Sequence, residues 1–372
     1  MSGSLSTEIV TPDALGPSER AAWIALRAAN PALDSPYFDI RYTEAAAGVP
    51  HARVAILRRG GDIRGFFPFQ KRGRLVQPLG APLSDYHGII AAPDEVIDLA
   101  SLTRELGASR LRVNGWAGSV AEPGWVPRRR MTCDLSGGAE GLDAAFEARD
   151  HKFCKNMRRQ HRGLERDHGP VTFKWDDRDP VVFDWIIARK REQYARTRRH
   201  DVFRCGWTAD LLRRLFDTAT ADFGIRVASL RTATGEIIAA EISLQGDGVL
   251  HLWFPAYAEA YRRYGPGALA TRLELAAAAA AGLHTADFGC GEESYKSTFA
   301  EPGRTVFEGT LSGALSTATA GMIQARAPVA VRRLAGSVER RLDIINACET
   351  RFGGWVSGTV AAAAAAAARQ GG

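Results

Sequence analysis

The second half of the chain alternates strands, turns and a helix in an order that restricts its fold. A glycine-rich loop, Tyr264-Gly265-Pro266-Gly267, follows three strand-like runs and opens a helix that is predicted to end at Gly282. The three runs are Ile225–Arg231, Glu236–Leu244 and Val249–Phe254. Apolar strands joined by short turns, then a loop and a helix, predict an α/β (α+β) sheet covered by helices.

Further along, the same pattern predicts a strand at Thr285–Phe288, a short helix at Glu292–Phe299 and a last strand at Thr305–Leu311. Asp287 therefore ends a strand and precedes a glycine loop. Loops at strand ends commonly carry site residues because a rigid scaffold positions them. The segment from about residue 225 to 300 is the one expected to carry chemistry.

The glycine loop indicates an anion site. Glycines let a backbone approach a ligand closely, and a helix N-terminus offers free N–H groups and partial positive charge. Arg262 and Arg263 stand just before the loop, and Gly265, Gly267 and Ala268 lie in it or open the helix. The spacing suits a pyrophosphate, but by itself it also fits a loop that turns into a buried helix.

With 372 residues the chain is long enough for two domains. We expect an N-terminal lobe at 1–145, a C-terminal catalytic domain at 146–312 and a helical, partly disordered tail at 313–372. Gly137-Gly138 marks the first break, and a strand–turn–strand signal around Gly60-Gly61 opens the N-terminal lobe. In the tail, Val331, Leu334 and Val338 begin an amphipathic stripe before an alanine-rich end.

Positive charge is concentrated on one predicted helix between residues 143 and 168. Its basic residues recur at steps of three and four, so they share one face: Lys152, Lys155, Arg159, Arg162 and Arg166. A second basic cluster covers residues 189–199. Such a face is either simply solvated or attracts an anionic partner, which could be nucleic acid, a phosphorylated cofactor, a nucleotide sugar or an acidic glycan.

Several classes of protein are disfavoured. No bulky apolar run approaches the roughly 18 residues that a membrane span needs, and the N-terminus does not resemble a secretory signal. The 5 cysteines are scattered and form no CxxC pair, so neither a disulfide framework nor a metal site is expected. A cytoplasmic enzyme is the simplest interpretation.

Three segments together resemble the CelD-like (BioF-like) and FemAB-like branch of the GNAT N-acyltransferases. They are Phe254-Pro255-Ala256-Tyr257, then Tyr264-Gly265-Pro266-Gly267, then Asp287-Phe288-Gly289-Cys290-Gly291 followed by Tyr295-Lys296. The Arg-x-x-Gly-x-Gly spacing is similar to the coenzyme A pyrophosphate loop of that superfamily. The resemblance covers about 150 to 312 well and the first 145 residues more loosely. It implies tandem GNAT-like lobes, each a mixed, mostly antiparallel twisted sheet flanked by helices.

What the resemblance implies chemically is direct acyl transfer. An amine attacks the thioester of acetyl-CoA or another acyl-CoA, and splayed central strands offer backbone groups to the donor and to the developing oxyanion. The pyrophosphate is expected at Arg262, Arg263, Gly265, Gly267 and Ala268. The acceptor is expected to be a small amine, such as an amino sugar or a glycan precursor in exopolysaccharide or cell-envelope biosynthesis.

Three residues are candidates for proton transfer. Tyr295 is the candidate acid, because relatives place a tyrosine on the corresponding helix near the thiolate; it could instead be a packing tyrosine. Glu241 is charged within an apolar strand and is the candidate base, unless it forms a salt bridge or faces solvent. Asp287 is a site candidate or a cap of the following turn.

Four further residues are candidates for binding the acceptor. His251 and Trp253 alternate on one strand face, although His251 could equally be a core histidine. Tyr257 follows the same strand. Lys296 could bind an anionic acceptor or anchor Asp287.

Two other functions remain open. FemAB-like proteins use aminoacyl-tRNA to build peptidoglycan bridges, and the basic helix would then bind RNA. This chain lacks the coiled-coil hairpin that such proteins often carry, so nucleic acid is not the expected partner. A non-catalytic glycan-binding or scaffold subunit is the third possibility, with a docking helix at 328–346.

Overall fold

The structure is a computed structural model and describes residues 5–118, 121–291, 296–312 and 341–367. Its strands, in chain order, are β1 (Leu5–Val10), β2 (Ala52–Arg59), β3 (Asp62–Arg72), β4 (Leu75–Pro78), β5 (Ile90–Ala91), β6 (Arg110–Trp116), β7 (Val126–Asp134), β8 (Thr172–Lys174), β9 (Phe223–Arg231), β10 (Ile237–Gly246), β11 (Val249–Tyr257), β12 (Thr285–Asp287) and β13 (Glu301–Ser312). Its α-helices are α1 (Pro17–Ala29), α2 (Ile40–Ala45), α3 (Leu99–Glu105), α4 (Gly138–His168), α5 (Pro180–Thr197), α6 (Trp207–Asp217), α7 (Pro266–Ala280), α8 (Lys296–Phe299), α9 (341–348) and α10 (Phe352–Ala367).

The chain forms two compact units, each built from separate stretches of sequence. Unit 1 contains the residues up to Arg128, Tyr194–Arg214 and the described residues from Val306 onward; unit 2 contains Arg129–Gln193 and Leu215–Thr305. The predicted boundaries at residues 145 and 312 remain predictions.

Unit 1 is a mostly antiparallel sheet. Its strands pair in the order β1-β2-β3-β4-β6, and the end of β13 pairs with β6; only β4 and β6 run parallel. The turn at Gly60-Gly61 joins β2 to β3, as the sequence predicted. Alternate residues Ala55, Leu57, Phe67 and Phe69 of these strands enter one apolar core.

Unit 2 pairs its strands in the order β7-β12-β11-β10-β9-β8. Only β11 and β12 are parallel, because α7 crosses over between them. Strands β9 to β11 start and end within three residues of their predicted bounds, since glycine-containing turns delimit them. A bulge at Trp253 bends β11, where Ile242 pairs with Phe254 but Ser243 pairs with Leu252.

Helices α4 and α7 cover one face of the unit 2 sheet. Cys154 of α4 and Leu275 of α7 pack with Leu250 and Ala286 of the strands in one core. Met157 and Leu164 are buried as well, while the predicted basic face of α4 is exposed. Helix α7 ends before Gly282, whose φ of 84° is the left-handed conformation that terminates helices.

These elements confirm the predicted fold class, an α/β chain with mostly antiparallel sheets flanked by helices. The predicted amphipathic stripe begins at Val331, and most of it lies outside the described residues. Among the helices that are described, none has both the length and the apolar character needed to cross a bilayer.

Candidate functional site

The predicted anion loop lies at the junction of β11 and α7. A 3₁₀ turn, Glu259–Tyr264, leads to Gly265, which has φ 59° and ψ 43° and precedes Pro266, the first residue of α7. A Cβ on Gly265 would approach Gln160 Oε1 to 2.9 Å, but that flexible side chain can move, so the positive φ is what favours glycine here. At the start of α7, Pro266 has no N–H, and the N–H groups of Gly267 and Ala268 precede the first helical hydrogen bond, from Leu269 N–H to Gly265 O. Such a helix start favours an anion.

Space for a ligand lies above the second residue of α7. A Cβ on Gly267 would meet only Tyr257 Cδ1 within 4 Å, at 3.7 Å. Arg262 and Arg263 have side chains that are 74% and 72% exposed, and each pairs with an acid, Glu259 and Asp167. The loop therefore combines an open backbone, a helix N-terminus and two solvent-facing cations, which fits a phosphate group.

Strands β11 and β12 diverge next to this loop. They pair over Val249–His251 and Thr285–Asp287 only, and β11 then continues to Tyr257. On that side of residues 252–257 no described strand runs alongside. Lys190 Nζ of α5 donates to Pro255 O at 3.3 Å, so one carbonyl of the unpaired stretch is contacted by a side chain. This is the splayed arrangement that the GNAT resemblance implies.

Two buried carboxyl groups face each other between β10 and α7. Glu241 is 3% exposed and Glu274 is 0% exposed. Burial raises the pKa of Glu241 to about 7 and that of Glu274 well above its usual value, because the charged forms lose water. A hydrogen bond between the two favours the charged form of Glu241 and the protonated form of Glu274. Glu241 is thus neither exposed nor in a simple salt bridge.

Asp287 has a different environment. Arg130 Nη2 donates to Asp287 Oδ2 at 2.9 Å, the Gly289 N–H donates to Oδ1 at 2.9 Å, and His251 Nδ1 lies 3.5 Å from Oδ2. Burial alone would raise the pKa of Asp287, but the His251 contact and the Arg130 charge hold it well below its usual range. Asp287 is a fixed anion that caps its own turn.

The four acceptor-site candidates differ in accessibility. His251 is fully buried, and its ring centroid lies 6.4 Å from that of Trp253, which is partly exposed. Tyr257 is 38% exposed and borders the opening above Gly267. Lys296 is partly buried, and its charge, like those of Lys190 and His251, lowers the pKa of Glu241 against the larger effect of burial.

The predicted site residues fall on two faces of the sheet. Glu241 is on the α7 face, with Glu274 as its partner. Leu250 and Ala286 pack on that same face, so strand alternation directs His251 and Asp287 to the opposite one. Tyr295 lies outside the described residues. The roles of all these residues remain predictions.

Sequence reasoning missed Glu274, Arg130, Ser243 and Lys190. Glu274 left a signal, because it is the only charged residue between Arg272 and Gly282 in an alanine- and leucine-rich helix. Arg130 left none, since it stands in a run of three arginines, of which only this one is buried.

A cavity of about 220 Å³ lies within unit 1 and contains none of the predicted residues. Arg112 lines it, and its Nη2 is 3.2 Å from a carboxylate oxygen of Glu308 and of Asp343. Within the described part of the chain, no cluster of His, Cys, Asp and Glu could hold a metal ion.

A family model described as the acetyltransferase (GNAT) domain matches residues 151–297. The matched stretch includes the anion loop, both buried glutamates and Asp287. Residues 151–297 are therefore similar to the GNAT acetyltransferase domain, which confirms the resemblance found in the sequence.

Among solved structures, FemX is 11% identical with a TM-score of 0.52, over 82% of this chain and 96% of that chain. The C-terminal domain of a putative lysylphosphatidylglycerol synthetase from Agrobacterium fabrum is 14% identical with a TM-score of 0.49, over 82% and 93%. A tandem GNAT protein from the clavulanic acid biosynthesis pathway is 10% identical with a TM-score of 0.47, over 83% and 98%. The chain thus shares the fold of FemX. The search of curated proteins gave no match.

Proposed function

We propose that the chain is an acyl-CoA-dependent N-acyltransferase acting on a small amine, such as an amino sugar or a glycan precursor in cell-envelope biosynthesis. The junction of β11 and α7 carries this proposal. There, an unpaired strand edge leads through Gly265 to an open helix N-terminus beside Gly267. One end of this groove suits a pyrophosphate, and the strand edge offers backbone groups to the rest of the donor and to an oxyanion.

In the proposed reaction the acceptor nitrogen attacks the thioester carbon. A C–N bond forms, the C–S bond breaks, and coenzyme A leaves as a thiol. Glu241 takes the proton of the attacking amine, and a pKa of about 7 leaves it substantially ionised at neutral pH. Tyr295 is proposed to protonate the departing thiolate. Asp287 is better suited to holding His251 in place than to exchanging protons, because three groups stabilise its charge.

Ligand-induced thermal stabilisation tests the donor. A ligand at 100 times its Kd stabilises the folded state by about 2.7 kcal/mol. We expect coenzyme A and acetyl-CoA to raise the Tm, and dephospho-coenzyme A to do so less if the basic residues around the loop contact the 3′-phosphate. Millimolar acetyl-CoA that leaves the Tm unchanged would exclude the donor assignment.

Thiol release during turnover tests the chemistry. The protein is incubated with acetyl-CoA and a panel of amino sugars, and free coenzyme A is measured with a thiol reagent. Glu241→Gln should lower turnover by about 10²–10⁴-fold, the usual contribution of a general base. Glu165→Gln, on the exposed side of α4, serves as the control. Equal turnover by both variants would remove Glu241 from the mechanism.

The exposed basic face of α4 favours one alternative, an aminoacyl-tRNA donor as in the FemAB-like resemblance. Five cations on that face would give a steep salt dependence of RNA binding. Replacing Lys155 and Arg162 with glutamate should then weaken tRNA binding while leaving any acetyl-CoA stabilisation intact. Stabilisation by acetyl-CoA, with no tRNA binding at low salt, would decide against this alternative.

A further inference from the structure

Helix α7 buries a carboxyl group at a position where its packing needs none. Around Glu274 the helix consists of leucines and alanines, and Leu275 and Ala278 lie in the core. A buried charge costs several kcal/mol unless it is paired. A methionine or leucine of similar length would avoid this cost, so Glu274 needs an explanation other than packing.

The contacts of Glu274 assign its proton. Ser243 Oγ donates to Glu274 Oε1 at 2.7 Å, which satisfies one oxygen. The other oxygen, Oε2, is buried and accepts no hydrogen bond from a described donor. An ionised Glu274 carboxylate would face the like charge of Glu241 in a site that is buried from solvent. A proton on Glu274 removes this repulsion and lets Glu274 donate to the Glu241 carboxylate, which is the direction in which the hydrogen bond between the two carboxyls acts on their pKa values.

We propose that Glu274 is a positioning residue, sharing one proton with Glu241 and holding the Glu241 carboxylate in the orientation of a general base. This rests on the proposed acyl-transfer function. The fixed chain of donors runs from Ser243 to Glu274 to Glu241 and links α7 to β10. When Glu241 takes the amine proton, both carboxyls become neutral, which suits their burial.

The pair also sets the pH at which the base works. Burial raises the pKa of Glu241, and the hydrogen bond from Glu274 offsets part of that rise. A hydrogen bond to a charged group contributes about 1.5–3 kcal/mol, and one pKa unit corresponds to about 1.36 kcal/mol. Losing the donor should therefore raise the pKa of Glu241 by about one to two units.

Two variants of equal length separate donation from packing. Glu274→Gln keeps an N–H donor toward Glu241 and a carbonyl acceptor for Ser243, whereas Glu274→Met keeps only the volume. In kcat/KM against pH, the acidic limb should stay in place for Glu274→Gln and move upward by about one to two pH units for Glu274→Met. If the acidic limb of the kcat/KM profile lies at the same pH for the parent and Glu274→Met, the positioning role is wrong, because replacing a residue that only packs does not move a pH profile.

A second measurement needs no acyl donor. Glu274 has a folded pKa above its unfolded value of 4.5, so the folded state retains a proton that the unfolded state loses. Stability is then fully present below about pH 4.5 and decreases as pH rises. In urea unfolding, the decrease between pH 5 and pH 8 should be shallower for Glu274→Gln than for the parent.

Equal slopes for parent and Glu274→Gln would refute the shared proton. Different slopes in a protein that neither binds nor turns over acetyl-CoA would uphold the shared proton and refute only the proposed function. The two failures can therefore be told apart.

Discussion

Replacing Arg130 with methionine tests what keeps Asp287 charged inside the sheet. The two side chains are 4% and 0% exposed, and Arg130 Nη2 lies 2.9 Å from Asp287 Oδ2. Methionine fills much of the same volume but carries no charge. Asp287 would still have the Gly289 N–H and His251 as partners.

The structure sets the size of this effect. Removing one partner of a buried ion pair typically costs about 3–5 kcal/mol of unfolding free energy. Because two partners of Asp287 remain, we expect a loss near the lower end, about 3 kcal/mol. The control is Arg166→Met, which removes a pair with Asp167 in which Arg166 is 76% exposed. Exposed pairs contribute about 0–1 kcal/mol.

The loss should also depend on pH. The folded pKa of Asp287 is held below its ordinary value of 3.8, so its stabilising contribution is present above that pH and is lost as pH falls. Without Arg130 the folded pKa rises, because the cation no longer favours the carboxylate. The difference between parent and variant should therefore be complete at pH 7 and become smaller below about pH 4.

Urea unfolding followed by tryptophan fluorescence measures the free energies. The double variant Arg130→Met with Asp287→Asn should recover part of the loss, because no charge remains buried. A loss below about 1 kcal/mol at pH 7, like that of an exposed pair, would refute the account of a buried pair. So would an equal loss at pH 7 and pH 3.

Three other variants test the donor site, the acid and the core. Gly267→Val should abolish thermal stabilisation by coenzyme A, whereas Gly141→Val, in the first turns of α4, should preserve it. If the Gly267→Val variant still binds coenzyme A, the glycine loop is not the phosphate-binding site. Tyr295→Phe should lower kcat with little change in acetyl-CoA affinity, and normal turnover would make Tyr295 structural. Phe299→Ala removes a ring that is 1% exposed and contacts Phe146 edge-on, so urea unfolding should show a loss of about 3–5 kcal/mol; a loss below about 1 kcal/mol would contradict this packing.

Local chemistry explains the parts of the fold that the sequence predicted well. The turn at Gly60-Gly61 and the end of α7 at Gly282 depend on backbone conformations that glycine adopts easily, so they can be recognised from a few residues. Apolar runs bounded by glycine-containing turns define β9 to β11 in the same local way. The buried face of α4 follows from helical spacing, as Met157 and Leu164 show.

The partners of the site residues could not be predicted, because they come from distant parts of the chain. Arg130 and Asp287 are separated by 157 residues, and Ser243 and Glu274 by 31. Periodicity indicates which face a side chain occupies but not what lies opposite. Glu241 was recognised as unusual from its strand alone, yet its carboxyl partner required the packing of α7 on β10.

The contrast between Asp287 and Glu241 decides which carboxylate is suited to proton transfer. Both are buried in the same sheet, but Asp287 has a guanidinium beside it, whereas Glu241 shares a hydrogen bond with another carboxyl. Three groups that stabilise an anion keep Asp287 ionised through the physiological range, so it cannot accept a proton there. Glu241 has a pKa of about 7 and changes its charge in that range. A general base that works near neutral pH must also change its charge in that range. This contrast favours the proposal that proton transfer occurs on the α7 face of the sheet and that Asp287 orients His251 on the opposite face.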